Sequence, residues 1–255
     1  MELVENKADE EVKMQIENIT LLEDSDDLEK RNVLLMRKLV ELEEPSSKDE
    51  DDLMLRRFLR AREQDVERAS KMFVKYVRWR KSFVPNGSIN PTDIPNELGQ
   101  NKFFLQGTDK HGRPIGVILG CRHKKTSLLE FKNYAVYSLD KMCGSLPKGV
   151  EKFVCIADAE GWGYSNLDLR AYAASLSILQ DCYPERLGKL YMVHVPYVFM
   201  AVWNLISRFI DNKTKTKIVF VDDKLLKRTL LEEIDENQLP KIYGGKMELV
   251  PIQDC

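Results

Sequence analysis

The feature that most constrains this fold is an alternation of short apolar runs with helical patterns between residues 102 and 221. Strands are predicted at 102–106, 115–119, 153–157, 190–195 and 217–221, and helices between them at 127–143, 167–180 and 196–210. Strands that alternate with helices are typical of an α/β domain with a mainly parallel sheet. We therefore expect one large α/β domain in the C-terminal part of the chain.

The N-terminal part shows only helical patterns. Asp26-Asp27, Asp51-Asp52 and Asp65 each precede such a pattern and are predicted to cap helices, and Pro45 breaks the first helix. The predicted organisation has four parts: an acidic leader of poor order (1–25), an all-helical unit (26–84), a proline-containing linker (85–101) and the α/β domain (102–250).

Charge is distributed unevenly along the chain. Residues 1–52 contain 18 acidic and 7 basic side chains, whereas residues 53–255 contain 23 acidic and 32 basic ones. A basic body favours an anionic partner, and both nucleic acid and a membrane surface meet that description. The five cysteines form no CxxC pair, and we find no signal peptide and no transmembrane run. These features predict a cytoplasmic protein.

The helix predicted at 196–210 is apolar on nearly every face. A stripe of Val198, Val202, Leu205 and Phe209 is predicted to close a pocket, while Phe199, Met200, Trp203 and Ile206 cover much of the remaining surface. The helix is too short to span a bilayer. Two interpretations stay open: a core helix of a large domain, or a lid that closes a lipid cavity and meets a membrane when it opens.

Catalytic motifs are missing from the sequence. The loop at 158–166 contains only Gly161-x-Gly163 of a dinucleotide fingerprint, and no P-loop, GxSxG or HExxH motif occurs. His194, in an apolar run, is interpreted as a core histidine with a partner. No histidine has zinc-ligand spacing. We expect a binding protein rather than an enzyme, with no catalytic residue, metal or cofactor.

Several short strings together resemble the CRAL-TRIO lipid-binding domain, and in particular the phosphatidylinositol transfer proteins of fungi and plants. The strings occur in the order of that family and cover about residues 50–250: LRRFLRAR at 55–62, Trp79-Arg80, Gly112-Arg113-Pro114, YPERLGK at 183–189, Pro196 with its helix, Phe209-Ile210-Asp211, and Leu239-Pro240 with Tyr243-Gly244-Gly245. The resemblance implies a mixed, mainly parallel sheet with flanking helices and a gating helix, preceded by a small helical unit.

The resemblance also implies site residues. An inositol phosphate headgroup would be held by Arg62, Glu185, Thr214 and Lys217, which have the residue types found in that family. Arginine and lysine suit a phosphodiester charge. From spacing alone, an alternative interpretation is that these charged residues form ordinary surface ion pairs.

Two departures from the family concern the ligands. Glu63 stands where a lysine is common, which reverses a charge beside Arg62. Relatives that carry phosphatidylcholine have two serines where this chain has Gly163 and Ser165, and a tyrosine where it has Gly116. Only Ser165 therefore remains for a second lipid headgroup, and phosphatidylcholine is disfavoured.

The predicted function is non-enzymatic binding of one phospholipid, phosphatidylinositol, and its transfer between membranes. The expected partners are the lipid and, transiently, a membrane surface, with no nucleic acid and with the protein as a peripheral monomer. The alternatives are a carrier or sensor of phosphatidylcholine, a sterol or tocopherol, and an interaction scaffold.

Overall fold

The computed structural model describes residues 28–255, which form two compact units that divide between Pro85 and Asn86. The predicted acidic leader and the predicted cap at Asp26-Asp27 lie outside the described residues. Among the helices of the described part, none is both long and apolar enough to cross a membrane.

From residue 28 onward, the N-terminal unit has three α-helices: α1 (Leu28–Glu43), α2 (Asp52–Ala61) and α3 (Val66–Phe83). The predicted caps are confirmed for α2 and α3, because Asp51 accepts a hydrogen bond from the Met54 N–H and Asp65 accepts one from the Arg68 N–H. Apolar side chains from all three helices meet in one core, among them Met36, Leu55, Phe58, Leu59 and Phe73.

The C-terminal unit has a short helix, α4 (Pro95–Leu98), before its first strand and is built on a five-stranded sheet. The strands are β1 (Phe103–Thr108), β2 (Pro114–Leu119), β3 (Phe153–Asp158), β4 (Leu187–Val193) and β5 (Ile218–Phe220). They lie side by side in chain order. β1 and β2 form an antiparallel hairpin, and every later pair is parallel. The predicted mixed, mainly parallel sheet is confirmed.

Helices fill the crossovers between the parallel strands. They are α5 (Leu128–Gly144), α6 (Leu169–Cys182), α7 (Tyr197–Ile206), which continues as a 3₁₀ turn over Ser207–Phe209, and the short α8 (Asn212–Lys215). Helix α9 (Leu226–Glu233) follows β5. Successive residues of a strand point to opposite faces, so the sheet has two apolar faces to cover.

The first face packs on α9 and the C-terminal segment through Ile156, Tyr191, Leu230, Leu239 and Tyr243. The second face carries Ala157, Leu190, Met192 and Ile218, which pack with side chains of α7. Gly116 lies in β2, and a Cβ built there would come within 2.7 Å of the Phe103 ring and 3.2 Å of Met142 Cε. Phe103 and Met142 therefore occupy the space beside Gly116, where the family commonly has a tyrosine.

Candidate functional site

Glu185 and Lys217 meet at the edge of the sheet where the parallel strands begin, called here the N-terminal edge. Glu185 lies in the turn before β4, Lys217 directly precedes β5, and the two strands are parallel neighbours. The Leu190 N–H donates to the Lys217 carbonyl, which fixes the Lys217 backbone beside β4. Lys217 Nζ lies 3.7 Å from Glu185 Oε2, and both side chains are largely buried. Glu185 also has a φ of 58°, an uncommon conformation for a non-glycine residue.

Thr214 joins this edge through the turn that ends at Lys217. The Lys217 N–H donates to the Thr214 carbonyl, and the Thr214 hydroxyl and N–H donate to the Asp211 carboxylate at 2.6 and 2.8 Å. Gln180 donates to the same carboxylate from α6. Burial alone would raise the pKa of Asp211, but the bonds from Thr214 and Gln180 and the charge of Lys217 lower it below its ordinary value.

The Asp211 cap leads to a prediction about acid stability. We expect Asp211→Ala to lower the free energy of unfolding by about 1 kcal/mol at pH 7, the usual cost of losing a helix N-cap. Because the folded-state pKa is lowered, the contribution is present above the unfolded pKa of about 3.9 and is lost as the pH falls through the folded-state pKa. Urea unfolding of both proteins between pH 3 and 7 measures this difference. A difference that grows at acid pH would contradict the prediction.

Lys152 is a residue of this edge that sequence analysis missed. It directly precedes β3, the next parallel strand, and its Nζ lies 3.2 Å from the same Glu185 Oε2 that Lys217 contacts. One carboxylate oxygen therefore faces two ammonium groups. The available signal was a lysine immediately before a predicted strand, because the N-terminal ends of parallel strands share one edge of the sheet.

Arg62 lies in the N-terminal unit, at the C-terminal end of α2, where its Nη1 donates to the Ala61 carbonyl at 3.1 Å. The next residues, Glu63 and Gln64, both have positive φ, which turns the chain before α3. Two other arginines of α2, Arg56 and Arg60, contact Glu29 of α1 as ion pairs. A role for Arg62 in headgroup binding stays a prediction.

Ser165 lies at the opposite edge of the sheet. It is exposed in a 3₁₀ turn (Tyr164–Asn166) that follows the C-terminal end of β3. A six-residue strand spans about 20 Å, so Ser165 is separated from the Glu185 edge by the length of the sheet. The structure therefore does not bring the two predicted headgroup sites together.

Helix α7 runs between these two edges and packs on the second face of the sheet. Phe199 is 8% exposed and packs edge to face on Trp162, with 5.3 Å between the ring centres. Trp203 packs on Phe220 of β5, with 5.1 Å between the ring centres. Val202 is buried, and Val198 and Ile206 are partly buried against the same cluster. The space beneath α7 is thus occupied by its own side chains.

The roles predicted for the side chains of this helix at a lipid pocket or a membrane stay predictions. In the structure Leu205 and Phe209 are 47% and 70% exposed, whereas Phe199 and Trp203 pack on the protein. Met200 is 36% exposed. The α-helix ends at Ile206, and the tighter 3₁₀ turn that follows takes Phe209 out of the helical stripe.

His194 does not lie in a strand as predicted, because β4 ends at Val193 and His194 has a φ of 49°. It has a partner, since its Nδ1 lies 3.0 Å from Asp158 Oδ1. Ligand atoms of Asp158, Glu160 and His194 lie within 4.8 Å of one another, a spacing that a metal ion would accept. The Asp158 oxygens, however, already accept from the Glu160 N–H and the Tyr243 hydroxyl. We assign this group a structural role at the start of α7.

Comparison with known proteins agrees with this architecture. The CRAL/TRIO domain matches residues 98–245. The Sec14 cytosolic factor of Schizosaccharomyces pombe is 30% identical over an alignment of 217 positions, and the match covers 78% of this chain and 76% of that protein. The phosphatidylinositol/phosphatidylcholine transfer protein SFH12 of Arabidopsis thaliana is 29% identical over an alignment of 251 positions, and the match covers 89% of this chain.

The matched residues make up 46% of SFH12, so the chain spans about half the length of that relative. The crystal structure of Sfh5 superposes with a TM-score of 0.64 at 19% identity, covering 80% of this chain and 84% of that one, and shows that the fold is shared. With a domain match over more than half of its residues and a fold in common, the chain belongs to the CRAL/TRIO domain family.

Proposed function

We propose that this protein binds one phospholipid, phosphatidylinositol, between α7 and the second face of the sheet, and carries or presents it between membranes. The observation that carries the proposal is the meeting of Lys152, Glu185 and Lys217 beside the end of an apolar helix that covers an apolar sheet face. Lysines suit the phosphodiester charge, and Glu185 suits inositol hydroxyls as an acceptor. SFH12 is named as a transfer protein for phosphatidylinositol and phosphatidylcholine, which supports the proposal.

Displacement of α7 is the physical step that this function requires. Phe199, Val202 and Trp203 fill the space where acyl chains would lie, so the helix has to leave the sheet before lipid enters. The move exposes apolar surface, and a bilayer covers that surface when it is present. We therefore propose that α7 opens at a membrane, with the protein acting there as a peripheral monomer.

Transfer of a lipid between membranes requires no covalent chemistry. Moving about 30 acyl methylenes from a bilayer into water would cost about 25 kcal/mol, at ~0.8 kcal/mol for each group. A dry protein cavity replaces the bilayer for those methylenes, so transfer from membrane to protein is close to neutral. The rate is then set by the opening of α7. We infer a carrier and not an enzyme.

The test is to identify the lipid that co-purifies with the full chain. Organic extraction of purified protein followed by mass spectrometry is expected to give phosphatidylinositol at about one molecule per protein. Transfer of labelled phosphatidylinositol between vesicles then measures the activity. Extraction of a sterol or tocopherol instead would make the protein a carrier of another class, and extraction of no lipid together with no transfer would favour an interaction scaffold.

Gly163 provides a prediction about phosphatidylcholine. It has an extended backbone, and a Cβ built on it meets no atom within 4 Å, so a serine fits without strain. We expect Gly163→Ser to raise phosphatidylcholine uptake several-fold and to leave phosphatidylinositol uptake unchanged, because it restores the missing hydroxyl. Gly163→Ala is the matched control for the added Cβ. If Gly163→Ser and Gly163→Ala give equal phosphatidylcholine uptake, the missing hydroxyl does not limit phosphatidylcholine binding by this protein.

A further inference from the structure

The two lysines that face Glu185 are held in different ways. Lys152 Nζ lies 3.2 Å from Glu185 Oε2, within hydrogen-bond reach, whereas Lys217 Nζ lies 3.7 Å from the same oxygen, beyond that reach. The Lys152 side chain is also more exposed than that of Lys217. Lys152 is therefore the closer partner of Glu185, and Lys217 is the ammonium that can turn to a ligand at the smaller cost.

Backbone contacts fix Lys152 beside the turn that carries Glu185. The Phe153 N–H donates to the Arg186 carbonyl at 2.9 Å, and Arg186 Nη1 donates to the Glu151 carbonyl at 3.0 Å. The residues on both sides of Lys152 are thus hydrogen-bonded to the residue that follows Glu185. Glu185 keeps a positive φ, a costly conformation that persists where surrounding contacts impose it and that clusters at ligand sites.

Lys152 also lines an open cavity at this edge of the sheet. The cavity has a volume of about 310 Å³, at the lower end of the range of ligand pockets, and its lining consists of His111, Arg113 and residues 149–152. The Arg113 guanidinium already donates to two carboxylates. Lys217 is not part of the lining. The open space beside these residues therefore lies on the Lys152 side of Glu185.

The charges at this edge separate the tasks of the two lysines. Lys152, Glu185 and Lys217 together carry a net charge of one positive unit, which matches the single negative charge of a phosphodiester. If Lys217 turns to the phosphate, Lys152 and Glu185 remain as a neutral pair. Without Lys152, the phosphate and the Glu185 carboxylate would share one ammonium and repel each other. Glu185 would then be lost as an acceptor for inositol hydroxyls.

We propose that Lys152 is a positioning residue that determines specificity. It holds Glu185 as an ionised acceptor for the hydroxyls of the inositol ring, while Lys217 takes the phosphodiester. Any phosphodiester lipid satisfies Lys217, so selection of phosphatidylinositol among anionic phospholipids comes from Glu185 and Lys152. This inference rests on the proposed function and assigns the pair of side chains that recognises the ring.

The test compares two lipids that share the phosphodiester and differ in the headgroup alcohol. The full chain is incubated with phosphatidylcholine vesicles that contain equal amounts of phosphatidylinositol and phosphatidylmethanol, which has no ring. The protein is then re-isolated, and its lipid is quantified by mass spectrometry. Lys152→Met removes the ammonium and keeps a long unbranched side chain, and Lys152→Arg keeps the charge. Lys148→Met is the matched control, since Lys148 is exposed in the same loop before β3.

The wild type is expected to take up phosphatidylinositol in preference to phosphatidylmethanol. Lys152→Met should lower phosphatidylinositol uptake by about tenfold, the effect of one charge-assisted hydrogen bond, and leave phosphatidylmethanol uptake unchanged. Lys152→Arg should retain most of the preference, and Lys148→Met all of it. An unchanged preference in Lys152→Met, or equal losses of both lipids, would overturn the proposal.

The wild-type result distinguishes this inference from the proposed function. Equal uptake of phosphatidylinositol and phosphatidylmethanol by the wild type would refute selection of the ring by Glu185 and Lys152, and phospholipid binding would stand. Uptake of neither lipid would refute the proposed function itself, and this inference with it.

A double variant tests whether Lys152 acts through Glu185. Glu185→Gln removes the charge that Lys152 holds, so adding Lys152→Met to it should have little further effect on phosphatidylinositol uptake. A further tenfold loss in that background would mean that Lys152 contacts the lipid itself, and the positioning role would fail. Thermal unfolding of each variant checks the fold, and Lys152→Gln replaces Lys152→Met in both comparisons if the methionine variant does not fold.

Discussion

Replacement of Lys217 by alanine is expected to reduce phosphatidylinositol transfer by at least about tenfold, the loss typical of one charge-assisted hydrogen bond. The fold should persist, because Glu185 keeps Lys152 as a partner at 3.2 Å when Lys217 is removed. Vesicle-to-vesicle transfer and thermal unfolding are measured on the same preparation. Lys215→Ala is the matched control, since it removes a lysine of α8 only two residues away.

Thr214→Asp is expected to abolish the same transfer. The substitution puts a carboxylate beside Asp211 at the edge where the phosphate would lie, and like charges repel. Thr214→Val distinguishes loss of the hydroxyl from addition of a charge. It removes the hydroxyl without adding charge and should give an intermediate transfer rate. Normal phosphatidylinositol transfer by both Lys217→Ala and Thr214→Asp would refute the assignment of this edge as the headgroup site.

The second large effect concerns the outer surface of the gating helix. Tyr197 is the first residue of α7, Phe209 ends the 3₁₀ turn that continues it, and the two are 94% and 70% exposed. Aromatic rings favour the membrane interface, and burying one large apolar side chain contributes about 1.5–3 kcal/mol. We therefore expect the double variant Tyr197→Asp/Phe209→Asp to slow transfer by at least about tenfold while the protein retains the lipid that it already carries.

Two comparisons make this result specific to the surface of α7. Leu129→Asp places the same charge on an exposed leucine of α5 and should leave transfer near normal. Phe199→Asp places it on a buried residue that packs on Trp162, and should lower both stability and lipid retention. If the double variant loses lipid and transfer to the same extent, Tyr197 and Phe209 belong to the lipid cavity and not to a membrane-facing surface.

Local sequence signals determined much of the architecture. Aspartates before helical patterns predicted the caps of α2 and α3, because a side-chain carboxylate satisfies a free N–H at a helix start whatever its surroundings. Apolar runs of strand length alternating with helices predicted the mainly parallel sheet. The strings around 55–62 and 183–189 were specific enough to identify the family, and the match at residues 98–245 confirms it.

Only some residues of the edge proposed to hold the headgroup could be predicted from the sequence. Glu185, Thr214 and Lys217 were found through the resemblance, and Lys152 was missed because it is 33 positions from Glu185 and no local pattern connects them. Strand order decides this contact: β3, β4 and β5 are parallel neighbours, so residues that precede each strand meet.

The orientation of α7 was decided by the tertiary structure alone. Two overlapping stripes, Val198-Val202-Leu205 and Phe199-Val202-Trp203-Ile206, both have helical spacing, and a helix that is apolar on nearly all faces gives no hydrophobic preference between them. Trp162 and Phe220 come from distant parts of the chain and provide the partners for Phe199 and Trp203. The sequence thus determined that an apolar helix covers the sheet, and the packing of those two rings determined which of its faces is buried and which is exposed.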